Sequence, residues 1–586
     1  MSVFFVASLL LGSIPRPAQY FDNLVDHFSA AGGTYQQRFY EIDEHFKGPG
    51  SPIVCIMGGE GGVPPSTGIF YPWVATVVAA RLGALVIQPE HRFYGSSLPA
   101  GLPPFNASQL TLLSPPQALM DAVALIQAQQ RLRGCTGRGT AGYCPVVTIG
   151  GSYPGFLSAM MRLRYPAVVD VAYACARSTL PCGPVYTSRS QNNLPLPAPP
   201  VPCTSLSVPV CGARRCPLFR SRSLAKAQRR PTCRLDLDWI SIGSRSPPEH
   251  RRASAPLAYY AQQVAWPAYY KLITKSADRS YKGCAAALRT AFEPLATGTF
   301  AELVRELGLC EPLPAYISRG GVDLLRDEVA MVLQYTFAGL NMANYPPSNA
   351  TALHGACAAV VARPSLATLG LLLRQYASTA VRRGGGRRPT SLTAAALEGA
   401  GASESARCFE MASQLPAGIN ATISSADWSG VGVGTDGESW DYQTCTVLVE
   451  AIGTNNVTDA FPPRPWSSTW LEAHCRARFG VAPRPTELAE AWGFAPERLV
   501  GAGASRIIFT NGLNDGWSVG SVTSSQSSSL IALNMPNGAH HSDLSHEPPS
   551  PADTPDVVAV RAKGLALIQH WLANLPHVDS VLKAVV

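Results

Sequence analysis

One stretch of this 586-residue chain constrains its fold more than any other, namely residues 145–166, PVVTIGGSYPGFLSAMMRLRYP. A β-branched run ends in two glycines, and a helical pattern begins directly after Ser152. The pattern predicts a strand, a tight turn and a helix, with one serine hydroxyl at the apex. An ordinary glycine turn before a helix is the alternative for this stretch taken alone.

The predicted turn is typical of the nucleophile elbow of α/β-hydrolases. Pro154 departs from the G-x-S-x-G pattern, because it occupies the last glycine position. Proline is tolerated there, since the N–H groups in the first turn of a helix are unpaired anyway. The N–H of Tyr153 remains available as an oxyanion donor.

Other apolar runs predict the rest of a sheet. We expect strands at 34–40, 52–57, 84–89, 168–174, 506–510 and 529–534, and helices at 113–126 and 557–571. The pattern between the fourth and fifth of these strands is largely helical from residue 253 onward. We therefore predict an α/β fold, an α/β-hydrolase sheet with an inserted helical cap domain.

Five segments are predicted. Residues 1–19 resemble a secretory leader, with a buried strand as the alternative. Residues 20–176 form the N-terminal hydrolase part, 177–252 a disordered basic insertion rich in Pro, Arg and Ser, 253–495 the cap, and 496–586 the C-terminal hydrolase part.

Composition excludes several classes of protein. No apolar run reaches the ~18 residues of a membrane span. The net charge of +8 is local, because 177–252 carries thirteen basic and three acidic residues, and nucleic-acid binding is not supported. No CxxC or HExxH pattern occurs, so no metal or cofactor is predicted.

Cysteines and glycosylation acceptors favour the secretory pathway, with an extracellular or lysosomal or vacuolar location. There are fifteen cysteines, of which Cys135 and Cys144 predict a short disulfide loop. Four N-x-[ST] acceptors occur, at Asn106, Asn349, Asn420 and Asn456.

A glycine-rich loop, residues 58–62, follows the strand 52–57. Without GK[ST], or GxGxxG and its acidic partner, it does not indicate a phosphate site. In a hydrolase it supplies the second oxyanion N–H, here from Gly59 or Glu60. A plain glycine turn is the alternative.

Ser152, Asp515 and His540 each lie just past the end of a predicted strand, in the chain order of α/β-hydrolases. A serine needs a histidine to accept its proton, and the histidine needs a carboxylate to orient it. His541 competes with His540 as the base. Asp543 competes with Asp515, but it lies on the same loop as both histidines, so we prefer Asp515.

Glu90, His91 and Arg92 follow the strand 84–89. We expect Glu90 and Arg92 to pair, because buried charges need partners. We interpret His91 as structural, because the base of an α/β-hydrolase follows the nucleophile in the chain.

Six motifs stand out together: LVDHF at 24–28, EHRFYG at 90–95, GGSYPG at 150–155, WDYQTC at 440–445, NGLNDGW at 511–517 and GAHHSDL at 538–544. They resemble the prolylcarboxypeptidase and dipeptidyl-peptidase-II family of serine exopeptidases. The resemblance implies a capped hydrolase, acid-active exopeptidase chemistry next to proline, and Ser152, Asp515 and His540 as the triad. Where that family usually has Asp-Pro-Trp, this chain has Asp515-Gly-Trp. The resemblance also implies that 177–252 is an insertion, and we hypothesise an untrimmed intron.

The sequence thus predicts a serine exopeptidase, either a carboxypeptidase or a dipeptidyl-peptidase. Trp440, Tyr442 and Trp517 are the candidates for its substrate pocket. We expect proline-containing peptides as partners, with a homodimer as the assembly to test. A catalytically impaired secreted binding protein and an esterase or lipase are the alternatives.

Overall fold

The computed structural model describes residues 17–29, 32–63, 68–102, 105–175, 264–377, 408–411, 435–492, 496–545 and 550–575. The predicted leader up to residue 16 and the predicted insertion 177–252 lie outside these residues. The domain boundaries therefore stay predictions.

An eight-stranded sheet forms the centre of the described chain, in the order β1-β2-β4-β3-β5-β6-β7-β8. β1 pairs antiparallel with β2 and β2 with β4, and every pair from β4 to β8 is parallel. The strands are β1 (Gln19–Leu24), β2 (Thr34–Ile42), β3 (Ile53–Ile56), β4 (Leu85–Pro89), β5 (Val146–Gly151), β6 (Val171–Cys175), β7 (Ile507–Gly512) and β8 (Leu530–Met535). All seven predicted strands, including the one that ends before Ser152, are confirmed, and β1 is an addition.

Helices of the hydrolase part cover both faces of this sheet. They are α1 (Ala79–Leu82), α2 (Ala107–Leu110), α3 (Pro115–Leu132) and α4 (Tyr153–Arg164) before the cap, and α15 (Ser542–Ser545) and α16 (Pro555–Ala573) at the end. One face packs against α3 and α4, and the other packs against α16 and the segment around Trp73. The buried strands are apolar on both faces for this reason.

A block of helices lies between β6 and β7 and is called the cap below. Its helices are α5 (Ala268–Ser280), α6 (Cys284–Thr297), α7 (Phe300–Leu307), α8 (Ala315–Met342), α9 (Ala352–Ala362), α10 (Leu366–Leu372), α11 (Thr435–Thr444), α12 (Ser468–Phe479), α13 (Glu487–Trp492) and α14 (Pro496–Leu499). The cap has its own apolar core, which includes Ile273, Leu333 and Phe461. The arrangement is that of an α/β-hydrolase with inserted helices, as the sequence predicts. No helix in the described ranges combines the length and apolar composition needed to cross a bilayer.

Four disulfides join described cysteines, and the predicted pair Cys135–Cys144 is one of them. The others are Cys284–Cys357, Cys310–Cys408 and Cys445–Cys475, all within the cap. Cys55 and Cys175 are buried free thiols.

The expected pairing of Glu90 with Arg92 is wrong. Arg92 donates to both oxygens of Asp121, each at 2.7 Å, whereas Glu90 accepts from Arg38 at 2.5 Å. Asp121 lies on α3 and also accepts a bond from the Tyr35 hydroxyl at 2.9 Å. Both residues follow the end of β4, outside the strand, and each charge has its partner on another element, Glu90 with Arg38 on β2 and Arg92 with Asp121 on α3.

Asp121 joins α3 to the segment that carries His91 and Arg92. Burial by itself raises the pKa of Asp121, but the Arg92 guanidinium outweighs burial, so this pKa lies below its ordinary value. The Asp121 carboxylate therefore stays charged and anchors Arg92, whose neighbour His91 reaches the serine turn described below.

We predict that Asp121→Ala lowers the free energy of unfolding by about 3–5 kcal/mol, because it leaves the Arg92 charge buried without its partner. Asp43→Ala is the matched control, since Asp43 pairs with Arg133 and its side chain is 53% exposed. The control should change stability by less than about 1 kcal/mol. Urea unfolding measures both, and equal losses would contradict the assigned role of Asp121.

Candidate active site

Ser152 lies at the turn between β5 and α4, with φ 63° and ψ −139°. Such a conformation is strained for a residue with a side chain, and it persists only where the surroundings enforce it. The Ser152 N–H donates to the Cys175 carbonyl of β6 at 3.0 Å. A Cβ at Gly150 would stand 2.1 Å from the Pro154 carbonyl oxygen, so the turn closes only because residue 150 has none.

The glycine-rich loop lies against this turn. A Cβ at Gly59 would stand 2.4 Å from Cγ of Pro154, which shows how closely the loop backbone packs against the proline ring. The adjacent Glu60 side chain accepts a hydrogen bond from Ser152 Oγ at 3.2 Å. The structure therefore brings the predicted oxyanion donors Tyr153, Gly59 and Glu60 to the predicted nucleophile.

Asp515 and His540 form a short contact, with Asp515 Oδ2 2.6 Å from His540 Nδ1. Asp515 is fully buried, and its other carboxylate oxygen accepts the Trp517 N–H at 3.2 Å. Because a carboxylate only accepts hydrogen bonds, Nδ1 of His540 carries the proton in this contact, and in the neutral imidazole the lone pair is then on Nε2. That protonation state is the one a general base needs.

The loops that carry this pair are joined to each other. Asn514 donates its N–H to the Gly538 carbonyl at 3.0 Å, and its side-chain amide donates to the Pro536 carbonyl at 3.1 Å. Both loops follow neighbouring parallel strands, β7 and β8, whose carboxyl ends meet at one edge of the sheet. This is the same edge that carries Ser152 at the end of β5.

The two histidines have different contacts in the structure, which their spacing in the sequence does not indicate. His540 faces Asp515, whereas the His541 ring lies against Gly151, where an added Cβ would be 3.0 Å from it. His541 also packs edge-on against Tyr71, with ring centroids 5.8 Å apart. Of the two histidines, His540 is the one that contacts Asp515, the carboxylate predicted for the triad.

The rival carboxylate, Asp543, is engaged elsewhere. It accepts hydrogen bonds from the Tyr173 hydroxyl at 2.6 Å and from the Cys175 thiol at 2.9 Å, both on β6. The geometry therefore agrees with the choice of Asp515 as partner of the histidine.

Ser152 itself donates to Glu60 and, within the described ranges, forms no hydrogen bond with His540. Hydrogen bonds between nucleophile and base are often long in unliganded enzymes and tighten only with substrate bound. In this structure the Ser152 hydroxyl is therefore directed at Glu60.

The side chain of Tyr153 is fixed from two sides. His91 Nε2 lies 3.1 Å from the Tyr153 hydroxyl, and Gln443 on α11 donates its amide to that hydroxyl at 2.8 Å. Trp440, also on α11, packs edge-on against the Tyr153 ring with centroids 5.4 Å apart. A helix of the cap therefore contacts the residue that follows the nucleophile.

The same cap helix reaches the glycine-rich loop. Asp436 accepts the Gly62 N–H at 3.2 Å and the Gly95 N–H at 3.3 Å. Among the pocket candidates, Tyr442 packs against Phe479 in a buried cluster, and Trp517 stands 4.6 Å from the Tyr269 ring. These two roles in substrate binding stay predictions.

A buried group on α11 and α12 has the side chains of a metal site but other partners. Asp441, Cys445 and His474 lie together, yet the Cys445 sulfur is bonded to Cys475 and Asp441 pairs with Arg478. His474 Nε2 lies 3.1 Å from Asp441. The group therefore joins the two helices instead of offering three free ligands.

Sequence reasoning missed two side chains that contact this site. The Tyr71 hydroxyl accepts the Gly151 N–H at 2.9 Å, and Asn341 of the cap bonds to the Asp515 loop. Neither residue belongs to one of the sequence motifs. Only the folded structure brings each of them into contact with the site.

His91 is structural, with Nδ1 bonded to the Arg92 carbonyl at 2.7 Å. Burial lowers the pKa of His91 to about 4 from 6.5. Between these values the unfolded chain binds a proton that the folded chain excludes. Stability is therefore lost as pH falls from 6.5 to 4, by about 3 kcal/mol.

We predict that His91→Asn removes this part of the pH dependence, because asparagine does not titrate. Urea unfolding at pH 7 and pH 4 measures the difference. The exposed His570 provides the control, and His570→Asn should keep the pH dependence of the original protein. If the free energy of unfolding of His91→Asn falls between pH 7 and pH 4 as much as that of the original protein, the assignment of His91 as a neutral buried histidine is wrong.

Comparisons with known proteins identify the family to which this chain is similar. The chain matches the family model of serine carboxypeptidase S28 over residues 23–180 and 252–564. It is 26% identical over 543 residues to mouse lysosomal Pro-X carboxypeptidase, covering 90% of this chain and 83% of that protein. It is also 26% identical over 557 residues to human thymus-specific serine protease, covering 94% of this chain and 86% of that protein.

Among solved structures, proline iminopeptidase from Mycobacterium smegmatis aligns over 28% of this chain and 45% of that chain, at 16% identity and a TM-score of 0.20. The family match is far broader, and it confirms the resemblance that the motifs indicate. Because it covers most of the chain, this protein belongs to the serine carboxypeptidase S28 family and is a serine peptidase.

Proposed function

We propose that the protein is a serine exopeptidase that cleaves peptides next to proline through Ser152, His540 and Asp515. The observation that carries the proposal is the 2.6 Å contact between Asp515 and His540, at the sheet edge where the strained turn presents Ser152. Relatives named as Pro-X carboxypeptidases support the position next to proline.

The proposed reaction runs through an acyl-enzyme. His540 Nε2 accepts the proton of Ser152 as its oxygen attacks the scissile carbonyl, and Asp515 stabilises the imidazolium that results. The N–H of Tyr153, with one from Gly59 or Glu60, binds the oxyanion. His540 then protonates the leaving amine, and a water molecule activated by the same residue releases the acyl group.

Release of a C-terminal residue is the activity that the names of the relatives favour. Glu60 favours a second candidate, release of an N-terminal dipeptide. Its carboxylate stands 3.2 Å from Ser152 Oγ, where it attracts a substrate ammonium group and repels a substrate carboxylate. Trp440, Tyr442 and Trp517 are proposed to line the pocket beside the proline.

The same comparisons support a proposal for the cellular location of the protein. Four disulfides and relatives named as lysosomal support the secretory pathway, with the lysosome as the proposed destination. The homodimer stays a prediction, and light scattering on the purified protein tests it.

We predict Ser152-dependent cleavage of Xaa-Pro peptides at mildly acidic pH. Ser152→Ala and His540→Ala should each lower kcat/KM by at least about 10³-fold, because neither variant can form the activated nucleophile. Mass spectrometry of the products, with peptides free or blocked at either end, measures both cleavage and the end recognised.

The products separate the candidates. Loss of one C-terminal residue, stopped by C-terminal amidation, identifies a carboxypeptidase, whereas a released N-terminal dipeptide identifies a dipeptidyl-peptidase. Cleavage of simple esters but no peptide would favour an esterase. A protein that cleaves nothing and does not react with a fluorophosphonate at Ser152 would be a binding protein, and the proposal would be wrong.

A further inference from the structure

The last turn of the cap helix α8 contacts the loop that carries Asp515. Asn341, in this turn, is fully buried. Its amide nitrogen donates to the Asn514 carbonyl at 2.8 Å, and its amide oxygen accepts the Gly516 N–H at 2.9 Å. One side chain therefore bonds to the backbone on both sides of Asp515.

The same turn also contacts the histidine loop. The N–H of His540 donates to the carbonyl of Met342, the residue after Asn341, at 3.3 Å. A second cap residue, Arg279 of α5, donates to the side chain of Asn514. The cap thus bonds to the backbone of His540 and to the backbone on both sides of Asp515.

The residue types suit this arrangement. An amide has one donor and one acceptor group on the same carbon, which matches a backbone carbonyl and a backbone N–H in close sequence. The bond to residue 516 requires an N–H, which glycine has and proline lacks. A Cβ at Gly516 would also stand 2.8 Å from the Tyr269 ring of α5, so the loop packs tightly against the cap.

We propose that Asn341 is a positioning residue, which fixes the Asp515 carboxylate in the direction of His540 Nδ1. The inference rests on the proposed function, in which Asp515 orients the base. Asn341 touches neither substrate nor the reacting atoms, and it acts by holding the backbone on both sides of Asp515. The cap is therefore part of the catalytic alignment as well as a cover.

The test compares Asn341→Ala with Gln334→Ala. Gln334 is a matched control, because it is a buried amide on the same helix that bonds to Thr454 at 3.1 Å, within the cap and away from Asp515. Both variants lose a buried hydrogen-bonded amide, so both lose comparable stability. Only the first changes the support of Asp515.

We expect Asn341→Ala to lower kcat by about 10- to 100-fold with KM nearly unchanged, because misplacing an orienting group by about 1 Å has effects of this size. The rate of Ser152 labelling by a fluorophosphonate should fall in parallel. Gln334→Ala should keep both rates. Equal kinetics in the two variants would overturn the inference.

A second measurement does not depend on activity. The proton shared by His540 Nδ1 and Asp515 should give a low-field proton NMR resonance, assigned by its loss in His540→Ala. We expect this resonance to shift or disappear in Asn341→Ala and to persist in Gln334→Ala. An unchanged resonance in Asn341→Ala, or no such resonance in the original protein, would overturn the inference. If the original protein shows the resonance but cleaves no peptide, the proposed function fails while the role of Asn341 is still decided.

Discussion

The left-handed backbone of Ser152 is the constraint on which the rest of this structure depends. A non-glycine residue in such a conformation costs of order 1–3 kcal/mol, and only over-determined surroundings keep it there. Here the surroundings are β6, whose Cys175 carbonyl binds the Ser152 N–H, and the glycine-rich loop that lies against Pro154. The strained turn holds Ser152 at the carboxyl end of β5, where its hydroxyl donates to Glu60 of the glycine-rich loop.

Parallel strands make the meeting of these loops unavoidable. β5, β7 and β8 all run in one direction, so the residues that follow them share one edge of the sheet. The sheet alone does not fix the positions of the residues on these loops. Asn341 from the cap bonds to the backbone beside Asp515, and Gln443 bonds to the Tyr153 hydroxyl. Two helices of the cap thereby contact the residues that flank the proposed reaction centre.

The ionisable groups near the site differ in the partners that they contact. Three buried carboxylates each contact a nitrogen of a basic side chain: Asp121 contacts Arg92, Glu90 contacts Arg38, and Asp515 contacts His540. His91 instead stays neutral, because burial disfavours its charged form. Glu60 differs from these three, since its carboxylate accepts a hydrogen bond from the Ser152 hydroxyl. It is the acidic group most directly placed to influence which substrates approach Ser152.

The sequence by itself determined the fold class, seven of the eight strands, the Cys135–Cys144 disulfide and the chain order of the candidate serine, aspartate and histidine. Each depends on short-range patterns or on chain order, which sequence records directly. Only the tertiary structure showed that His540 contacts Asp515, that Arg92 pairs with Asp121 and not with Glu90, and that Asn341 bonds to the loop of Asp515. These outcomes depend on side-chain direction and on contacts between residues as far as 175 positions apart. Periodicity and spacing carry no information on either, because packing between elements sets them.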